Sequence, residues 1–265
     1  MEREDGEHLA SDLFMELASE TRCALLASLG RRPARLSTLA RELGITIQDV
    51  HRNVNRLAEA GLVKRENNEF CITQFGSAVA GQIPYFAFLA ARREFFKEHA
   101  FGGIPAKFIQ RIGALERCEL VSSVTPVMEA LKKLEMSAKS RLKIIAAQAW
   151  AEEGNILVDR ARSGVDVQVV VGRNTIFPKD VAESGRNTMR ELDGRMKSRM
   201  ADSVGFGLYI ADGQSAVMLP NLKGEVVMDA LLAGSDPVFC EWCADLFDHV
   251  WERAGPFDMT KVTVV

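Results

Sequence analysis

The sequence predicts a multidomain α+β protein, and three observations support that class. Residues 8–76 contain short amphipathic segments with capping residues and glycine stops, which indicate packed helices followed by a small hairpin. Helical segments punctuated by proline follow over 77–139. From residue 140 onward, β-rich runs alternate with helical segments, as is typical of an α/β domain. We therefore divide the chain into residues 1–76, 77–139 and 140–265.

Residues 36–75 carry the clearest local signals. Ser37 is predicted to cap a short helix, and Gly44 supplies the positive φ that ends it. Thr46 and Asp49 have the spacing of a capping box and start a second helix almost at once. Gly61 closes that helix. Two helices joined by a tight turn are therefore expected here.

The second of these helices has two different faces. The apolar positions share one side at helical spacing and are expected to face a core: Ile47, Val50, Val54 and Leu57. The other side is polar and partly cationic: Gln48, Arg52, Asn55 and Glu59, flanked by His51 and Arg56. Alternating runs at 62–65 and 70–73 enclose a polar turn at 66–69, which predicts a hairpin. The whole pattern is that of a winged helix-turn-helix, a module that binds duplex DNA.

Local charge supports DNA as the partner. Residues 21–75 contain nine basic and five acidic side chains, a net charge of +4, whereas the whole chain is formally −3. A positive segment attracts the phosphate backbone. The residues expected to read base edges are Gln48, His51, Arg52 and Asn55. The residues expected to contact phosphate or to belong to the wing are Ser37, Thr38, Arg41, Arg56, Lys64 and Arg65.

Composition restricts the class of protein. The 265 residues are 47% hydrophobic and 26% charged, an ordinary balance for globular domains. No apolar run of about 18 residues indicates a membrane span, and the acidic start of the chain does not resemble a secretion signal. We therefore expect a cytoplasmic protein. An odd number of cysteines, five, argues against a disulfide framework.

Two cysteines nevertheless leave a redox alternative open. Cys240 and Cys243 are three residues apart in a stretch with helical periodicity, so they share a face and favour burial together. The same Cys-x-x-Cys spacing can form a redox-active dithiol. A regulator that senses oxidation through this pair is therefore one alternative function. Docking of the winged helix on the transcription machinery, as a protein-interaction module, is another.

The middle region is expected to be helical and to hold a dimer together. Pro84, Pro105 and Pro126 each suit the first turn of a helix, and Thr125 is a candidate N-cap. Aromatic residues cluster over 85–101, a pattern of a core or a dimer seam. The tryptophans are expected to be core or interface anchors: Trp150, Trp242 and Trp251.

The C-terminal region reads as strand, helix, strand and then hairpin. Runs at 142–147 and 165–171 are expected to be parallel neighbours connected by a helix over 149–162. Runs at 207–211 and 215–219 flank Asp212, Gly213 and Gln214, a hairpin turn. A final helix is predicted over 237–253. Small molecules bind beyond the carboxyl ends of parallel strands, so Gln148, Arg173 and Asn174 are candidate effector-binding residues. For Arg173 and Asn174 the alternative is that they belong to a solvated loop.

The order of motifs resembles a known family. The segments that carry the resemblance are CITQFG, RREFFKEHAFGGIPAKFIQRIGAL, RSGVDVQVVVG, LYIADGQSAVMLP and EWCADLFDHVWERA. Together they look like archaeal winged helix-turn-helix transcription regulators of the methanogenesis-regulator type. That family is related to sugar-responsive archaeal regulators with a phospholipase-D-like sensor domain. The resemblance implies a homodimeric transcription regulator whose C-terminal domain senses a small effector or holds the dimer together. For such a dimer we expect sequence-specific binding to a pseudo-palindromic operator.

The sequence gives no sign of catalysis. A phospholipase-D-like active site needs His-x-Lys, and none of the four histidines stands in that motif. No phosphate-binding glycine loop, nucleophile elbow or zinc-binding His-Glu pair is present. We therefore predict that the chain is not an enzyme, that its phospholipase-D-like domain is non-catalytic, and that it needs no cofactor or metal.

Overall fold

The computed structural model describes residues 2–148, 151–177, 192 and 194–264. The chain forms two compact units, Met1–Ala87 and Phe88–Val265. The first is helical with one small hairpin and the second contains a large sheet, which confirms the mixed α+β class. The three-part division at residues 76 and 139 stays a prediction. Trp150 lies outside the described residues.

Six helices and two strands make up the described part of the first unit, and the sixth helix extends past its last residue. They are α1 (Glu2–Leu17), α2 (Glu20–Arg31), α3 (Leu36–Leu43), α4 (Ile47–Glu59), β1 (Val63–Glu66), β2 (Glu69–Ile72), α5 (Gln74–Ala80) and α6 (Ile83–Ala91), the last of which crosses the boundary between the units. Leu25, Leu39, Val50, Val54 and Leu57 are fully buried and form the centre of its core. About 1.5–3 kcal/mol of hydrophobic stabilisation accompanies complete burial of each such side chain.

One predicted core position is wrong. Ile47 is 55% exposed, because it is the first residue of α4 and only the later turns of the helix face the core. Asn53 occupies the buried face in its place. Its side-chain amide donates to the Asp49 carbonyl at 2.8 Å, which meets the hydrogen-bonding need of a polar group inside the core.

The second unit consists of one mixed sheet with helices packed against it. Its helices are α7 (Ala106–Ile109), α8 (Val124–Ser137), α9 (Ala151–Arg162) and α10 (Pro237–Arg253). Its strands are β3 (Glu119–Ser122), β4 (Arg141–Gln148), β5 (Asp166–Phe177), β6 (Met196–Ala201), β7 (Gly207–Ala211), β8 (Gln214–Met218), β9 (Ala230–Gly234), β10 (Gly255–Pro256) and β11 (Thr263–Val264). Among the described residues the strand order is β10-β6-β5-β4-β7-β8-β9-β3, and β11 pairs with β5.

The predicted pairings of this sheet are confirmed. β4 and β5 are parallel neighbours with Leu142 opposite Val167. β7 and β8 form an antiparallel hairpin across Asp212 and Gly213, whose φ values of +40° and +88° suit a tight two-residue turn. The last helix covers Pro237–Arg253 as predicted. None of the helices described is long and apolar enough to cross a membrane.

Two features of residues 77–139 differ from the prediction. The segment is not wholly helical, because Glu119–Ser122 forms an edge strand that pairs antiparallel with β9. Ser123 occupies the N-cap position of α8 without a side-chain capping hydrogen bond, and Thr125, the predicted cap, lies inside the first turn. The Ser123 amide donates to the Asp229 carbonyl at 2.7 Å, so a contact from a distant loop sets where the helix begins.

Candidate nucleic-acid interface

The turn between α3 and α4 depends on one glycine and one capping pair. Gly44 has φ +66° and its amide donates to the Ala40 carbonyl, which ends α3. Thr46 Oγ1 accepts from the Asp49 amide at 3.1 Å and donates to Asp49 Oδ2 at 2.7 Å. The predicted pair is therefore present. Ser37 is not the cap of α3, because the helix already begins at Leu36 and its N-cap position is Arg35.

The polar face of α4 faces solvent. Gln48, His51 and Arg52 are exposed, and Asn55 is half-buried beside them. The Asn55 amide nitrogen lies 3.3 Å from His51 Nε2, and Arg52 pairs with Asp49 at 3.1 Å while staying 74% exposed. An exposed ion pair of this kind contributes little to stability, so the guanidinium can exchange partners easily. The structure therefore brings the four predicted base-reading residues together on one accessible helix face.

The predicted phosphate-contacting cations differ in how strongly they are already paired. Arg41 is exposed and forms no ion pair among the described residues. Arg56 instead binds Glu16 of α1 through two hydrogen bonds. The Arg56 hydrogen bond and charge lower the pKa of Glu16, and Glu16 in turn raises the pKa of Arg56. Thr38 is half-buried and Ser37 exposed within α3.

The hairpin after α4 is tighter than predicted. Val63 pairs with Ile72 and Glu66 with Glu69, so Asn67 and Asn68 alone make the turn. Their φ values of +47° and +63° fit a type I′ turn, which asparagine tolerates better than most residues. Glu66 and Glu69, which the sequence pattern placed in the turn, instead form the last pair of the two strands.

Both cations of the hairpin have local partners. Lys64 pairs with Glu66 at 2.6 Å, and that hydrogen bond raises the pKa of Lys64. Arg65 donates to Asn68 Oδ1 at 2.5 Å and lies 5.9 Å from the centre of the Phe70 ring. Both side chains remain exposed. They place positive charge on the exposed side of the hairpin. The buried Phe70 side chain anchors the hairpin to the core of the first unit.

The three candidate effector-binding residues of the second unit each have a different partner. Gln148 donates to the Val226 carbonyl at 2.8 Å. Arg173 forms an exposed ion pair with Asp202 at 3.2 Å. Asn174 clamps the Val204 backbone, donating to its carbonyl and accepting from its amide, both at 2.9 Å. These last two lie within β5 and not in a loop, because the strand continues to Phe177 past an irregularity in its pairing with β4.

Asp212 does more than occupy a turn. Its carboxylate accepts from the amides of Ser140 and Arg141 at 2.9 and 3.0 Å, and also from the Lys139 amide and the Ser140 hydroxyl. These donors outweigh the effect of partial burial and lower the pKa of Asp212 to about 2. The hairpin is thereby fastened to the beginning of β4.

The two cysteines of α10 have different surroundings. Cys243 is fully buried, and burial raises its pKa well above the ordinary range. Cys240 is half-buried and its thiol donates to the Gly213 carbonyl at 3.2 Å. Burial of Cys243 keeps it in the unreactive thiol form.

The sequence interpretation missed a buried carboxyl pair. Glu135 of α8 and Glu153 of α9 are 1% and 3% exposed. The signal was available, because Glu135 falls on the same face as Val127, Leu131 and Leu134, where a charged residue interrupts an apolar stripe. Charged side chains are seldom fully buried without a reason.

Comparison with known proteins gives two family matches. Residues 11–93 match a family model described as the HVO_A0261 N-terminal domain. Residues 121–253 match the middle domain of the methanogenesis regulatory protein FilR1. None of the curated proteins matches the chain.

Solved structures give distant likenesses. TrmBL2, an archaeal chromatin protein, is 12% identical over 90% of this chain and 94% of its own, with a TM-score of 0.42. NucT from Helicobacter pylori is 16% identical over 53% of this chain and 100% of its own, with a TM-score of 0.39. The dimethyltransferase RosA from Streptomyces davawensis is 11% identical over 76% of this chain and 66% of its own, with a TM-score of 0.29.

The methyltransferase likenesses correct one prediction. Besides RosA, they include an S-adenosylmethionine-dependent methyltransferase, SibL, at 14% identity and a TM-score of 0.26. The prediction that the chain is not an enzyme is wrong on this finding and is withdrawn. Likeness at this level assigns no activity to the chain.

The match to the FilR1 middle domain covers residues 121–253, which is half of the sequence. The protein therefore belongs to the family of the FilR1 middle domain.

Proposed function

We propose that the protein is a sequence-specific DNA-binding transcription regulator that acts as a homodimer. The observation that carries the proposal is helix α4, whose inner face is buried while Gln48, His51 and Arg52 stand exposed on its outer face, with the half-buried Asn55 beside them. Its place after α3 and the Gly44 turn and before the hairpin supports the proposal of a winged helix-turn-helix. Family membership supports regulation as the role. We also propose that the second unit is a phospholipase-D-like domain, and this part of the proposal is based on the sequence resemblance.

In this mechanism α4 enters the major groove and the hairpin follows the adjacent backbone. Arg52 and Asn55 can each donate to base edges, whereas Arg41, Lys64 and Arg65 neutralise phosphates. The pair of Arg52 with Asp49 is exposed and exchanges for a base contact at little cost. The side chains of α4 then determine which DNA sequence is bound. Arg41, Lys64 and Arg65 contribute affinity that does not depend on the DNA sequence.

Selection of bound fragments from random DNA, followed by titration at several salt concentrations, tests the proposal. Arg52→Ala and Asn55→Ala should each cost about 1–3 kcal/mol at the selected operator and reduce discrimination among sequences. Lys64→Ala should weaken all sequences alike and flatten the salt dependence by about one phosphate. Glu241→Ala, an exposed change on α10, is the control. If no fragment is selected, docking on a protein partner replaces DNA binding as the function.

The homodimer is tested separately. Two copies would place two α4 helices in successive major grooves, about 34–36 Å apart, and would select a pseudo-palindromic operator. Native mass spectrometry of the complex should then show two chains per duplex. One chain per duplex, with an operator that lacks symmetry, would contradict this part of the proposal and leave DNA recognition intact.

A further inference from the structure

An apolar groove of about 950 Å³ lies on the surface of the first unit, where α1 passes the end of α4 and the start of α5. Leu13 and Ala60 line it as half-buried side chains. Leu9, Met15 and Phe75 also line it, and they are 71%, 66% and 52% exposed. Three large apolar side chains therefore stand in solvent around one concave surface.

The apolar surface continues beyond the groove along α1. Phe14, next to Met15, is 55% exposed, and its ring lies edge-on 5.6 Å from the ring of Phe86, which is 46% exposed. We call these five residues the α1 patch: Leu9, Phe14, Met15, Phe75 and Phe86. Of the large apolar side chains that are exposed in the described part of the first unit, only Ile47 lies outside it. Single exposed apolar residues are ordinary, whereas a group of them on one surface marks an interaction site.

The area of the α1 patch matches one side of a protein–protein interface. Its five side chains expose roughly 500 Å² in total, taking about 150–250 Å² for each large side chain when fully exposed. A standard interface takes about 800 Å² from each partner, a little more than half of it apolar. The patch therefore has the apolar area that each copy contributes to a stable dimer.

Part of α1 has an apolar face without a neighbour in the described part of the chain. Leu9, Ala10, Ser11 and Asp12 are all exposed, so this turn of the helix does not pack against the core of its own unit. Helices gain most of their stability from packing an apolar face, and a short helix in water is marginal without it. A second helix laid along α1 would supply the missing neighbour.

The charges that line the groove bear on which partner fits. Glu16 accepts from Arg56 through both carboxylate oxygens and pairs with Arg22 at 3.4 Å, so its charge is already neutralised when the groove is covered. Asp12 and Glu59 are exposed and line the same groove. Two copies in contact bring these like charges together, which weakens the contact, whereas a basic partner would be attracted by them.

We propose that the α1 patch is the interface of the homodimer, where α1 of each copy lies in the groove of the other about a twofold axis. The inference rests on the homodimer of the proposed function and assigns it to a surface. A twofold contact covers the patch of one copy with the identical patch of the other, so both are buried without any further component. Glu59 and Ala60, at the end of α4, line the groove, so the contact also fixes the direction in which the two α4 helices point.

Sedimentation velocity of the full chain without DNA, over a range of concentrations, measures dimerisation. Leu9→Glu combined with Met15→Glu adds two carboxylates at exposed positions of the patch and should weaken the dimer at least tenfold. Ile47→Glu changes the exposed apolar residue outside the patch and should dimerise as the unaltered protein does. Circular dichroism during heating verifies that each variant is folded.

Opposite charges locate the contact. A second chain carries Leu9→Lys with Met15→Lys and is mixed one to one with the glutamate chain. Heterodimers should form in preference to either homodimer, because the twofold contact places the two kinds of charge opposite each other. Native mass spectrometry separates the three dimers by mass. A mixture without a preference for the heterodimer would overturn the proposal.

Asp12→Asn distinguishes a second copy from a partner of another kind. Removing one like charge from each side should tighten the homodimer by at least about twofold. Unchanged or weaker dimerisation would contradict the proposed contact, and so would an unaltered protein that stays monomeric at every concentration. A dimer that persists in the Leu9→Glu, Met15→Glu chain would also overturn it and would favour the seam expected over residues 77–139.

Failure of this inference and failure of DNA recognition give different results. The Leu9→Glu, Met15→Glu chain keeps the predicted base-reading residues of α4, so it should still prefer the selected operator over random DNA while losing the complex of two chains per duplex. A persistent dimer overturns only the interface. Absence of any selected DNA overturns the proposed recognition and leaves the dimer measurement unchanged.

Discussion

Arg56 on α4 and Glu16 on α1 form a two-point ion pair, with Arg56 Nε 3.2 Å from Glu16 Oε2 and the second guanidinium nitrogen 2.5 Å from Oε1. The pair ties the first helix of the chain to the candidate recognition helix. It also occupies one of the cations that the sequence assigns to phosphate. The positive charge available to DNA is therefore smaller than the residue count suggests.

Glu16→Gln should release Arg56 toward DNA. Arg22 also contacts the Glu16 carboxylate but stays held by the Glu16 and Met15 carbonyls. If the freed guanidinium reaches a phosphate, the slope of log affinity against log salt should steepen by about 0.9. Salt-dependent fluorescence anisotropy measures the slope, with Glu20→Gln, an exposed change on α2, as the control. An unchanged slope would show that Arg56 lies outside the interface.

Leu57→Ala should destabilise the first unit by about 2–5 kcal/mol, because the side chain is fully buried and its loss leaves a cavity. Ile47→Ala removes a similar side chain from the exposed first turn of the same helix and should change stability by less than about 0.5 kcal/mol. Urea unfolding measures both. Equal losses for the two variants would contradict the assignment of the buried face.

Gly76→Ala should be poorly tolerated. An added Cβ at this position would lie 1.9 Å from the Leu62 carbonyl oxygen, and backbone cannot move aside as a side chain can. We expect a loss of about 3 kcal/mol. Gly30→Ala is the matched control, because the nearest atom is 3.8 Å away and alanine is favoured within α2 by about 0.5–1 kcal/mol. Thermal unfolding that ranked these two variants in the opposite order would refute the packing at Leu62.

Asp212→Asn should lower stability at neutral pH and have little effect near pH 2. The pKa of Asp212 is lowered from 3.8 to about 2, so its stabilisation is present above 3.8 and is lost as the pH falls through 2. The full shift corresponds to ~2 kcal/mol, and solvent screening at this exposed side chain reduces the expected loss to about 1 kcal/mol. Unfolding measured from pH 2 to 7 reports the difference. A loss that persists unchanged at pH 2 would assign the effect to something other than charge.

Glu135→Gln should stabilise the second unit in alkaline solution. The folded-state pKa of about 8 lies above the ordinary 4.5, so the stabilisation from this proton is complete below 4.5 and is lost as the pH rises through 8. The glutamine variant has no proton to lose, and its melting temperature should exceed that of the unaltered protein at about pH 9 and approach it at about pH 4. Glu129→Gln, an exposed change on α8, should show no such dependence.

Much of the fold follows from local patterns. Gly44, Thr46 with Asp49, and the Asp212–Gly213 turn each act through neighbours in sequence, so their signals could be recognised without the structure. The final helix likewise has its cap at Asp236 and a proline in its first turn. Such elements are specified by residues only a few positions apart.

The missed features depend on residues that are distant in sequence. Strand Glu119–Ser122 is four residues long and is defined by pairing with β9. The start of α8 is set by the Asp229 carbonyl, although Thr125 is an equally good cap by composition. The partner of Arg56 is on another helix. The buried Glu135 was visible in the pattern, but its meaning depends on α9 and β7.

The central strand β4 has a parallel neighbour on one side and an antiparallel neighbour on the other. Ile144 and Ile145 are therefore hydrogen-bonded into two ladders and are also fully buried. Neither neighbour of β4 is an edge strand, so fraying that begins at an edge of the sheet does not expose their amides. Hydrogen exchange there requires nearly complete unfolding of the second unit, whereas edge strands β3 and β10 can exchange through smaller openings. The slowest amides of the unit should therefore report its global free energy of unfolding.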